Sequence, residues 1–407
     1  MPDFFKGSGD PQQLQQGWDI LAEQVSLPVA VLRQDALQQN AHWMAQFAQQ
    51  NNVLLAPHGK TTMSPELFKY QQGMGAWAIT VATVPQLICA VEAGIKRVIL
   101  ANQLVGRYHF ELVANLLKSA PLELFCFVDS IDNVHALGDF FNQQEVKVNL
   151  LLEIGVVGGR CGVRNFAELT SLIKACHAYP SLQIVGLGFY EGIIGGEHAE
   201  QDVERFVESV IMYAEQLHQQ GMFACSEPIV SGAGSAWYDV VTKVMKHSAH
   251  TCEFKFVIRP GCYLIHDTGI YHNAQQAILK RSEAACGIEG ELVSSLFIWA
   301  YVTSLPEPGF AIVGMGKRDV AFDAGLPKPE YHYGTYCKRL QSLNSDFYTE
   351  KIMDQHAMLR LPPNHLLKVG DMICFSTSHP CLTFDKWKHI GIVERDWVIT
   401  KTITTHF

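Results

Sequence analysis

The chain has 407 residues, 48% hydrophobic and 17% charged, with a formal net charge of −9. Its length and apolar content predict a large core divided between two domains, and charge without a long run of Lys or Arg excludes a nucleic-acid backbone as partner. Eleven scattered cysteines without the spacing of a disulfide framework predict a reducing, cytoplasmic setting, and neither a leader-like start nor an apolar run approaching roughly 18 residues is present, so a soluble, unexported protein is expected.

From Pro28 to Gly261, short β-branched or apolar runs alternate with amphipathic stretches, the rhythm of a parallel β/α array. Strands are expected at 29–32, 53–56, 77–81, 97–101, 122–128, 146–154, 183–189, 229–231 and 254–258. Eight of these would close an α/β fold of the (β/α)8 TIM-barrel type. In the glutamine-rich stretch after Asp35, the residues Leu37, Ala41, Met44, Ala45 and Ala48 fall on one helical face. Ser64-Pro65-Glu66 offers an N-cap, a proline at the first helical position and an acid in the first turn, and Gly94 suits the end of a helix over 85–93. After about residue 285 the pattern turns to longer strands at 293–303, 310–313, 372–376 and 397–404, with turns at Pro306-Glu307-Pro308-Gly309 and Val369-Gly370-Asp371. The expected division is a barrel over 27–280 and a second, mainly β domain over 281–407, to which residues 1–26 can contribute.

Two motifs carry chemistry. Lys60, in Pro57-His58-Gly59-Lys60-Thr61, stands just past a strand, where barrels of this type build their active sites. A rigid turn, an imidazole and a glycine around an amine suit a lysine that bonds an aldehyde, with His58 as a proton acceptor or simply a packing group. Downstream, Ser231-Gly232-Ala233-Gly234-Ser235 and Gly261-Cys262-Tyr263 follow two successive strands and can present backbone N–H groups to an anion. A lysine with a phosphate anchor points to pyridoxal phosphate. Arg160 lies on a glycine-lightened loop, suited to the cofactor's phenolate, to a carboxylate or to a surface ion pair, and Tyr190 can hydrogen-bond the cofactor or merely pack.

The second motif is His379-Pro380-Cys381. In an extended segment, residues two apart share a side, and an imidazole with a thiolate suits a divalent metal, zinc before others, with positions left for water and substrate. Asp354-Gln355-His356 is a further polar cluster that can face the site, whereas His332, His365 and His389 carry no constraint that points to function.

Taken together, these motifs resemble the bacterial D-serine deaminase and D-threonine aldolase-like group, fold-type III pyridoxal-phosphate enzymes with an alanine-racemase-like barrel and a D-serine-dehydratase-like β domain. The resemblance runs from about residue 28 to 400. It implies that Lys60 bonds the cofactor, that Arg160, Tyr190 and the loops at Ser231, Gly232, Gly234, Ser235, Gly261, Cys262 and Tyr263 hold it, and that His379 and Cys381 hold the metal. It also implies a homodimer and a preference for D-amino acids. Cysteine at the second metal position favours dehydration of a 3-hydroxy-D-amino acid such as D-serine. Aldol cleavage to glycine and an aldehyde is the neighbouring alternative, and a non-catalytic pyridoxal-phosphate carrier is the alternative of another class.

Overall fold

The computed structural model describes residues 5–10, 17–248, 253–394 and 396–407. Eight parallel strands, Leu54–Leu55, Ile79–Val81, Arg97–Gln103, Glu123–Val128, Val148–Ile154, Leu182–Phe189, Ile229–Gly232 and Lys255–Ile258, follow one another around a curled sheet. The last strand pairs with the first. On the other side, Trp77 N donates to Leu55 O at 2.7 Å and Thr80 N to Pro57 O at 2.8 Å, which joins the first strand to the second and brings the ring together.

Both faces of these strands are buried, so they read as nearly continuous apolar runs. Ile99, Phe125, Phe127, Leu151, Ile229 and Val257 fill the interior, while their alternates Val98, Leu100, Leu124, Cys126, Leu150 and Ile258 pack outward against the helices. The glutamine-rich stretch is the helix Gln34–Gln50, with Leu37, Ala41, Met44 and Ala48 buried. The second helix begins at Pro65, as the proline predicts. Ser64 does not cap it: its hydroxyl donates to Glu66 Oε2 at 2.9 Å. Thr83 does cap the next helix, Val84–Glu92, and Gly94 takes the positive φ of 84° that ends it.

The ninth strand candidate belongs elsewhere. Val29–Arg33 pairs antiparallel with Leu296–Glu307 and parallel with His389–Val393, inside an eleven-stranded, mostly antiparallel sheet. Alternation of apolar residues cannot reveal which sheet a strand joins. The strand Trp18–Asp19 also joins this sheet, beside Val398–Thr404, around a core of Trp18, Trp299 and Trp397. The two layers are tied by buried Asn40, whose Nδ2 donates to Leu264 O at 2.9 Å and to Val293 O at 2.8 Å while its Oδ1 accepts from Val293 N.

Candidate active site

Past the first barrel strand the chain makes a single 3₁₀ turn, Gly59–Thr61, which leaves Lys60 exposed at the carboxyl end of the barrel. A side chain at residue 59 would strike the Phe68 ring, 2.7 Å from its Cβ, and one at Gly261 would strike His58 O and Thr61 Oγ1, each at 2.7 Å. Glycine at both positions lets the loop after the last strand press against the lysine turn. Lys60 and His58 share a cavity with Glu153, Arg160, Tyr190, Gly234 and Arg259.

His58 Nδ1 is buried without a protein partner. Burial, reinforced by the charges of Lys60, Arg259 and Arg160, holds the imidazole well below its ordinary pKa, so it is neutral and able to accept a proton. Arg160 lies 4.4 Å from the centroid of the Tyr190 ring, a cation–π pair. Its loop is knitted by Arg164, which donates to Cys161 O and Arg160 O, each at 2.7 Å. Burial, then Glu191, raises the pKa of the Tyr190 phenol, so it remains a donor.

At the glycine loop the structure places a carboxylate of the chain itself. Ala233 N and Gly234 N donate to the carboxylate of fully buried Glu191, at 3.1 and 2.7 Å, and are already satisfied without an external anion. Burial raises the Glu191 pKa, while these N–H groups and Arg259 oppose the rise. The peptide N–H groups of Ser235 and Gly261 have no acceptor among the described residues, and Ser235 Oγ accepts from Cys262 N at 3.3 Å, linking the two loops. Ser231 and Gly232 face the barrel instead. Ser231 Oγ accepts from Arg259 Nη1 at 2.7 Å, and a Cβ on Gly232 would lie 1.9 Å from the Phe189 ring. Tyr263 is buried, with its hydroxyl accepting from Gln71 Nε2 at 3.3 Å, and does not line the Lys60 cavity.

Arg259 is a wall residue that motif spacing did not single out. Its guanidinium donates to Ser231 Oγ and to Phe189 O and lies 5.2 Å from the Phe127 ring centroid, and burial pulls its pKa down to about 10. An arginine directly after an apolar strand was the available signal.

The second motif meets the lysine turn. Cys381 Sγ lies 3.5 Å from Thr61 Oγ1, next to Lys60, and 3.5 Å from Cys262 Sγ. The segment is not extended as expected: Pro380 is helical, at φ −61° and ψ −45°, and Cys381 opens the short helix Cys381–Phe384. Proline at a helix start favours this turn over a strand. His379 Nδ1 is 2.7 Å from Asp323 Oδ2. A hydrogen bond to Cys381, with help from Asp323, raises the His379 pKa to about 9. The hydrogen bond with Cys262 pulls the Cys381 thiol down to about 5 and holds Cys262 up. A polarised thiolate beside an imidazole oriented by a carboxylate is a donor set that fits a zinc-like ion.

At the barrel mouth, Asp129, Glu153 and Cys161 bring three ligand-type atoms within 4.8 Å of one another. Both carboxylates already have donors, Gly162 N for Asp129 and Gln103 Nε2 for Glu153. Asp354, Gln355 and His356 are exposed on the turn before Ala357–Arg360. His332 is structural, buried against Asp371 at 2.9 Å.

Residues 32–267 match the family described as "Alanine racemase, N-terminal domain", and residues 295–393 match "Putative serine dehydratase domain". The chain belongs to the alanine racemase N-terminal domain family, fold-type III pyridoxal-phosphate proteins, and carries the second domain after the barrel. It is 26% identical over 412 residues to D-threonine aldolase of Arthrobacter sp., covering 98% of each chain. It is 24% identical to D-threo-3-hydroxyaspartate dehydratase of Delftia sp. (strain HT23), covering 82% of this chain and 83% of that one. The fold superposes on D-threonine aldolase from Filomicrobium marinum with a TM-score of 0.79 at 22% identity, over 96% of this chain and 97% of that one. A cysteine-to-alanine variant of D-threo-3-hydroxyaspartate dehydratase has been solved in a metal-free form; it superposes with a TM-score of 0.74 at 19% identity, over 95% of this chain and 99% of that one.

Proposed function

We propose that the protein is a pyridoxal-phosphate- and metal-assisted lyase that removes water and ammonia from a 3-hydroxy-D-amino acid such as D-serine and releases a 2-oxo acid. The observation that carries this reading is the 3.5 Å approach of Cys381 Sγ to Thr61 Oγ1, which sets the metal donors beside the lysine turn. When bound, the aldehyde cofactor supplies an electron sink for the substrate's α-carbon, and a divalent ion supplies Lewis-acid pull on its β-oxygen.

The protein's own groups divide the remaining work. Lys60 would provide both the amine that bonds the cofactor and the base for the substrate's α-proton. His58, neutral and with Nδ1 unpartnered, accepts a proton within the same cavity. Arg160 and Tyr190 form one wall, the cation suited to a carboxylate or a phenolate oxygen. The N–H groups of Ser235 and Gly261 serve the phosphate. His379, oriented by Asp323, and Cys381 hold the ion, zinc by the softness of the donors.

Aldol cleavage is the second reading, favoured by the likeness to D-threonine aldolase over 98% of the chain. In that case the proton taken by His58 is that of the β-hydroxyl. The experiment loads the purified protein with pyridoxal phosphate and zinc, offers D-serine, D-threonine and 3-hydroxy-D-aspartate, and measures 2-oxo acid, ammonium and glycine. Release of 2-oxo acid with ammonium is expected. Glycine without 2-oxo acid replaces dehydration by aldol cleavage, and bound cofactor with no product from any of the three leaves a carrier.

We further propose a cytoplasmic homodimer. Val157 and Ile193 are 81% and 40% exposed beside the loops of Arg160 and Tyr190, an apolar rim suited to a second subunit. Among the described residues no helix is long and apolar enough to cross a membrane.

A further inference from the structure

The lyase reading leaves a buried thiol unused. Cys262 follows Gly261 on the loop after the last barrel strand, and its Sγ lies 3.5 Å from Cys381 Sγ and 3.7 Å from Thr61 Oγ1. Two sulfurs on one zinc ion, each at about 2.3 Å in tetrahedral geometry, stand about 3.8 Å apart; at the separation seen here they would subtend about 100° at the ion. A divalent cation held between the two sulfurs would favour the deprotonated form of both. The two cysteines are 119 residues apart in the chain, so the barrel loop and the turn from the second sheet each deliver one sulfur to the same point. The imidazole on the Cys381 turn has its Nδ1 held by Asp323 at 2.7 Å, the arrangement of a ligating histidine whose other nitrogen is fixed by a carboxylate.

We infer that Cys262 is a third protein ligand, so that the metal sits in a Cys262, Cys381 and His379 set with one open position for the substrate oxygen. The inference rests on the metal reading above and deepens it. The three donor atoms do not all lie within 4.8 Å of one another, so binding draws the imidazole inward by rotation about its side-chain torsions. Two consequences follow. A site with two thiolates selects zinc or cobalt over magnesium and manganese. It also ties the ion to the cofactor loops, because Cys262 N donates to Ser235 Oγ.

The test uses the wild-type holoenzyme under reducing conditions, with zinc as the probe. X-ray absorption at the zinc edge counts sulfur neighbours without any substitution, and two sulfurs at about 2.3 Å are expected. One sulfur overturns the third ligand and leaves the two-ligand site standing; zinc without sulfur neighbours overturns both. A second arm replaces zinc by cobalt in the parent and in Cys262→Ser. The thiolate-to-cobalt absorption is expected to fall by about half, and zinc retention against a chelator by at least the 10- to 100-fold range that even an outer-shell partner contributes. An unchanged band with unchanged retention, in a variant that keeps its lysine–cofactor absorbance, contradicts the assignment.

Discussion

The two regions that build the site are finished to different degrees. At the barrel mouth the groups that frame the cavity are already engaged: Glu191 takes two loop amides, and Arg259 is consumed by Ser231 and Phe189 O. The turn that brings His379 and Cys381 is supported differently, for its donors touch one another, Asp323, the Thr61 hydroxyl and the Cys262 thiol. A preorganised frame with one unpartnered base suits a cofactor held in a fixed pose. A cluster of soft donors in mutual contact suits an ion that completes it.

The largest effect that can break this contrast is Lys60→Ala. Removing the group that both anchors the cofactor and moves the α-proton should lower turnover by roughly four orders of magnitude while leaving the fold intact, as measured by product release and circular dichroism. Next, Cys381→Ala or exhaustive chelation should lower turnover about 100- to 1000-fold and abolish zinc retention, yet spare the lysine–cofactor absorbance. Loss of that absorbance would mean that the two regions are not separable.

Within the frame itself, Glu191→Ala strands one buried and one half-buried N–H group and should cost about 2–4 kcal/mol, read from urea unfolding. At neutral pH the smallest effect lies at the frame's edge. His266 is buried, with its pKa pulled down to about 3 by burial and by His272. Because the unfolded imidazole protonates near 6.5, the parent loses stability from this residue as pH falls from 6.5 towards 3. His266→Asn, which suits the positive φ of 53° there, should lack that loss. Its stability relative to the parent should therefore rise by about 1.4 kcal/mol per pH unit across this window.

The frame was also the more legible region. Its strands are apolar on both faces and separated by amphipathic helices, so the barrel, Lys60, His58 and the Arg160 and Tyr190 loops could be read from local pattern. Glu191, Arg259 and Asp323 gave no spacing signal, since their roles depend on partners brought close by the tertiary fold. The contact between Cys381 and Thr61 spans 320 residues and cannot be inferred from either motif alone. Val29–Arg33 shows the same limit: its composition identified a strand, but its place in the second sheet is fixed by Leu296–Glu307 and His389–Val393.

The most direct test is covalent. Borohydride reduction of the cofactor-loaded protein, followed by peptide mapping, should place a single pyridoxyl label on Lys60. A label on another lysine, or none, would contradict the account.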